Sequence, residues 1–109
     1  MISDDGILEI KFKDFIEISY RDARELLQAI SVLMPEGGPV LFQYGLGIFI
    51  TNEARIELTN ARSIHRAAFL TYTQTATLLA NFLLRYSEIT YPAQVFQSRK
   101  QAISWLESE

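Results

Sequence analysis

The feature that most constrains this chain is the way strand-length apolar runs take turns with segments of helical spacing. Val40 to Tyr44 is an apolar run without clean alternation, the pattern of a central strand covered on both faces. Ala67 to Tyr72 and Ala93 to Phe96 are further strand-length runs. Before the first of them, Ala23, Leu26, Leu27, Ile30, Leu33 and Met34 recur at helical spacing, the strongest amphipathic helix in the chain. Ser19 and Asp22 make a capping box ahead of it, and Pro35-Glu36-Gly37-Gly38-Pro39 stops it. A second helix opens at Thr51, with Glu53 in its first turn. Ala54, Leu58 and Ala61 mark its buried face, with His65 as a further candidate. A third opens at Thr73 or Thr71, with Ala76, Leu79, Phe82, Leu83 and Tyr86 directed inward. Tyr91-Pro92 precedes the last strand, where a missing N–H is tolerated. Ser98 and Gln101 open a final helix packed through Ala102, Ile103 and Leu106, with Trp105 beside them.

At the start, Ile7, Leu8, Ile10 and Phe12 alternate with Glu9, Lys11 and Lys13, the period of a half-buried strand. Lys13-Asp14 reads as a tight turn and Phe15 to Ile18 as a second strand, so the two are expected to form a hairpin. The predicted order is ββαβαβαβα. Such alternation implies right-handed crossovers and an α/β fold with a mostly parallel sheet covered by helices, mixed because of the hairpin.

The 109 residues suit a single domain spanning 1–109, and a hydrophobic share of 49% supplies enough apolar surface for a packed core rather than disorder. A formal net charge of −3 gives no basic field for nucleic acid. The absence of cysteine removes disulfides, thiolate nucleophiles and zinc–thiolate sites, and fits a reducing compartment. Acids at Asp4 and Asp5 stand where a secretory leader needs a basic segment, and no apolar stretch approaches the roughly 20 residues that span a bilayer. A cytoplasmic protein is expected. His65, the sole histidine, has no recognisable partners for metal ligation or general-base work. Gly45 and Gly47 match no nucleotide-binding spacing. The expectation is a chain without cofactor, metal or catalytic residues, not an enzyme.

The segment Gly45 to Ile50 is the most suggestive. Leu46, Ile48 and Phe49 are apolar where loops are usually polar, and they follow the central strand, at whose carboxyl end open α/β sheets tend to bind. With Thr51 and Asn52 they form a candidate surface for a protein partner, a second copy or a ligand. The alternative is a loop folded onto its own core or a strand continuing past Gly45. Thr51 is a candidate phosphorylation site, since helix N–H groups favour a phosphate, although Glu53 opposes it. Its simpler role is an N-cap worth about 1 kcal/mol. Arg55, Arg62 and Arg66 form a candidate anion-binding row, or a solvated face. Tyr72, Tyr86, Tyr91 and Trp105 either line a pocket or complete the core with their polar tips at its rim. Glu107 and Glu109, like the acids near the start, read as solubility.

The element order, with Asp22-Ala23-Arg24-Glu25 opening the first helix, Pro39-Val40-Leu41 starting the central strand, Thr51-Asn52-Glu53-Ala54-Arg55 opening the second helix, and Val95-Phe96 leading to Ala102-Ile103-Ser104-Trp105-Leu106, resembles the small STAS-like bacterial domains. That group includes the anti-sigma-factor antagonists and is related in fold to the CRAL-TRIO-type lipid carriers. The resemblance implies a non-enzymatic regulatory or protein-interaction module presenting loop 45–50 and the second helix N-terminus to a partner. Its alternative implication is a small carrier of an apolar or lipid-like ligand held between helices and sheet. In the antagonists a phosphorylatable serine opens the helix after the central strand. Here Ile50-Thr51-Asn52 stands at that place and the usual aspartate–serine pair is absent.

Overall fold

Each helix starts at a hydroxyl that accepts a backbone donor the helix cannot satisfy itself. Ser19, Thr51, Thr73 and Ser98 accept from the N–H groups of Asp22, Ala54, Ala76 and Gln101. At Ser19 the box is reciprocal. The Ser19 N–H donates to the Asp22 carboxylate at 3.0 Å and its hydroxyl does so at 2.9 Å, which together hold the Asp22 carboxyl below its usual range. The structure, a computed structural model, describes residues 6–44 and 47–108; the side chain of Tyr86 is outside the description.

The elements run β1 (Leu8–Lys11), β2 (Glu17–Ile18), α1 (Tyr20–Leu33), β3 (Gly38–Gln43), β4 (Phe49–Ile50), α2 (Asn52–Thr59), β5 (Ile64–Leu70), α3 (Gln74–Tyr86), β6 (Ala93–Phe96) and α4 (Arg99–Glu107). A four-stranded sheet has the order β1-β3-β5-β6, and β2 pairs with β4 in a separate two-stranded sheet. Leu8 lies opposite Val40, Phe42 opposite Phe69 and Phe69 opposite Val95. Pro39 sits in a central strand without breaking it because the β3–β5 register shifts between Gly38 and Pro39, a place where a missing N–H is harmless. Gly37 turns the chain into β3 at φ 75°; a Cβ there would lie 2.9 Å from the Ser63 carbonyl oxygen.

Adjacent residues of the inner strands are buried on opposite faces, which is why Val40–Tyr44 shows no alternation. Leu8, Val40, Phe42 and Ala67 pack with Ile30 of α1 and with Met34 at its C-terminal cap, while Ile7, Leu41, Ala68 and Leu70 pack with Ala102 and Leu106 of α4. Complete burial of Leu41 contributes about 1.5–3 kcal/mol.

The α/β architecture with a mostly parallel sheet stands as expected, but the initial hairpin does not form. Every described ladder is parallel, and the Phe12 N–H extends the β1–β3 ladder to the Gln43 carbonyl. Phe15 adopts φ 57°, and the chain turns away to seat Ile16 and Ile18 against Ala23 of α1 and Ala54 of α2. β4 is an additional strand, registered with β2 through Glu17–Phe49 and Ile18–Ile50. Among the described residues no helix is long and apolar enough to cross a membrane.

Candidate functional site: an apolar cleft beneath α3

Helix α3 departs most from its expected packing. None of its described residues is buried, and Leu79, Phe82 and Leu83, expected inward, are exposed together with Leu78. The residues it turns to the sheet include Ala76 and Ala80, both half-buried. Their short side chains cannot fill the space beneath the helix, and an open cleft of about 400 Å³ remains there. Volumes of about 300–1,000 Å³ are typical of small-molecule sites.

The floor is aromatic. Phe42 and Phe69 are cross-strand partners with ring centroids 5.2 Å apart, and Tyr44 stacks on Phe69 at 5.6 Å and on Phe12 at 5.3 Å. The β4–α2 segment supplies one wall through Ile48, Phe49, Ile50 and Leu58, and α3 supplies the roof through Ala76, Leu79, Ala80, Leu83 and Leu84. Ile89 and Tyr91 close the far end.

Few polar groups face this space, and most are already engaged. Thr71 and Thr77 share a hydroxyl hydrogen bond of 2.6 Å, and the Thr59 hydroxyl donates to the Ile56 carbonyl. The Tyr91 hydroxyl donates to the Leu58 carbonyl at 2.7 Å, and burial pushes its phenol up to about 12. The Tyr44 phenol is held far above its ordinary range, first by burial and then by Tyr91, so it stays a neutral donor. It makes no hydrogen bond to another described residue, whereas Tyr72 and Tyr91 both do. Arg55 is the sole charged residue among the described lining; it donates to the Ser87 hydroxyl at 3.0 Å and has no ion pair among the described residues.

The expected site residues are distributed as follows. Leu46 lies outside the described residues. Ile48 is half-buried against the Ile18, Ala23 and Ala54 cluster while also lining the cleft, and Phe49 stands at the rim with 62% of its surface exposed. Thr51 is half-buried, its hydroxyl occupied as the α2 cap and its N–H bonded to the Ile18 carbonyl; Asn52 is exposed at the first helical position. The arginine row does not exist, because α2 ends at Thr59. Arg55 is on the helix, Arg62 is exposed in the connection that follows, and Arg66 is on β5. Arg66 instead donates to the Trp105 and Ser108 carbonyls at 2.7 and 2.6 Å and lies over the Trp105 ring at 4.8 Å. His65 is exposed on β5, not on the buried face of α2.

Of the aromatic candidates, Tyr91 lines the cleft. Tyr72 is exposed and donates to the Gln43 side chain, while Trp105, on α4, packs on Phe96 of β6. Among the described residues no group of three or more His, Cys, Asp or Glu is placed to hold a metal ion. Sequence reasoning missed the floor of Phe42, Tyr44 and Phe69. The available signal was Ala76 and Ala80, one turn apart in an otherwise leucine-rich helix.

A solved structure described as an uncharacterized protein of the DUF3478 family with a SpoIIAA-like fold, from Shewanella loihica PV-4, is similar over 97% of this chain and 88% of that one. Its TM-score is 0.60 and its identity 18%. That likeness establishes a SpoIIAA-like, that is STAS-like, fold. No curated protein matches the chain. A family model described as a domain of unknown function, DUF7793, matches residues 1–109, and the chain belongs to that family.

Proposed function

We propose that this is a non-enzymatic STAS-like binding module whose site is the cleft beneath α3, and that it takes a small apolar ligand. One observation carries the reading: a helix with four large apolar residues exposed stands over a stacked aromatic floor, leaving about 400 Å³ open between them. Leaving so much apolar surface wet forgoes stabilisation of roughly 25 cal/mol for each Å² that a ligand would cover. Titration with the neutral dye Nile red tests it. Saturable enhancement of emission is expected, and Leu83→Asp, a change at a residue already 46% exposed, should weaken it at least about tenfold with the far-UV circular dichroism unchanged. Absence of saturable binding to the parent protein would overturn the reading.

A second reading, a regulatory module docking a protein partner or a second copy through loop 45–50 and the start of α2, is favoured by the exposure of Phe49. Ile48 and Ile50 are partly spent on the domain's own core, so Phe49 would carry that contact. Phe49→Asp should then abolish any self-association seen by light scattering. Phosphorylation of Thr51 belongs to this reading. It would put phosphate oxygens beside the Ala54 N–H that the Thr51 hydroxyl now accepts from, and Thr51→Glu should shift the association if the position is a switch.

A further inference from the structure

We infer that the ligand of this cleft is a single-chain amphiphile with a carboxylate head, its head at Arg55 and Ser87 and its tail over Phe42 and Phe69. The inference rests on the cleft being a ligand site. Apart from Arg55, the described lining is uncharged, and among the described residues the guanidinium hydrogen-bonds the Ser87 hydroxyl alone. An arginine at the edge of an apolar cleft, with no carboxylate partner among the described residues, is an unmatched charge, and an anionic oxygen is its natural complement. A guanidinium has five donors in a planar fork, so a carboxylate can be held while the bond to Ser87 persists. One positive charge calls for one negative charge, which favours a carboxylate over a doubly charged phosphate. The volume, at the lower end of ligand sites, fits one chain rather than two.

Calorimetric titration of the whole chain with decanoate, 1-decanol and decyl phosphate separates the possibilities. Decanoate is expected to bind about tenfold or more tightly than decanol at low salt, with the advantage shrinking as salt rises. Arg55→Gln should erase that preference, lowering decanoate affinity about tenfold while decanol affinity falls by about threefold at most, and the retained decanol binding reports a folded cleft. Arg55→Lys should keep part of the preference. Equal affinities in the parent protein, or a preference that survives Arg55→Gln, overturns the assignment of the head while leaving the cleft as a site. Decyl phosphate binding more tightly than decanoate overturns the carboxylate in favour of a phosphate. If none of the three binds, the cleft reading fails and the inference with it.

Discussion

Arg66 is an arginine recruited by a helix end. The last carbonyls of α4 have no partners within the helix, and the helix dipole places negative charge there. The guanidinium answers both, reaching the Trp105 and Ser108 carbonyls and covering the Trp105 ring. Arg66→Ala should therefore lower stability by about 1–2 kcal/mol in urea melts, whereas Arg62→Ala, in an exposed position, should stay within about 0.5 kcal/mol. Asp22 has a pH-dependent role. Its folded carboxyl is held below 3.8 by the Ser19 N–H and hydroxyl, so its contribution to capping is complete above that value and is lost as pH falls through the folded one. Acid titration of the melting temperature should show a downward limb below about pH 4 that is shallower in Asp22→Asn. Both residues belong to short-range chemistry, yet only Asp22 was legible in the sequence. A capping box spans three positions, while the partners of Arg66 lie on an element more than thirty residues away.

Among the helices, α3 is the least anchored. It places no described residue in the core, whereas α1 buries Ala23 and Ile30 and α4 buries Ala102 and Leu106. Local opening should cost least there, so its amides should exchange with deuterium faster than those of α1, and a ligand in the cleft should slow them selectively. Uniform protection across the helices would show α3 to be fastened more firmly than its burial implies. Three of the four caps were readable in advance, and the third helix was narrowed to Thr73 or Thr71, because each depends on a hydroxyl and the backbone three residues on. The cleft was not, because periodicity reports which side of a helix is apolar and says nothing of whether Ala76 and Ala80 can reach the rings of Phe42 and Phe69.

At the scale of the molecule, the α/β plan was legible because period-two and helical segments alternate along most of the chain. The placement of the first strands was not. An apolar strand followed by a polar turn carries the same local signature whether its partner is the next strand or one beyond a helix. Here β3 wins because pairing with it buries both faces of this segment, through Leu8 of β1 on one and Ile7 just ahead of β1 on the other. The fully parallel pairing has a temporal consequence. Leu8 meets Val40 and Ala67 meets Ala93 only after an intervening crossover has been made, so no contiguous stretch can begin the sheet alone. As the chain leaves the ribosome, β1 waits for α1 and β3 before it has a neighbour. The pace of folding is set by closing those long connections rather than by any tight turn.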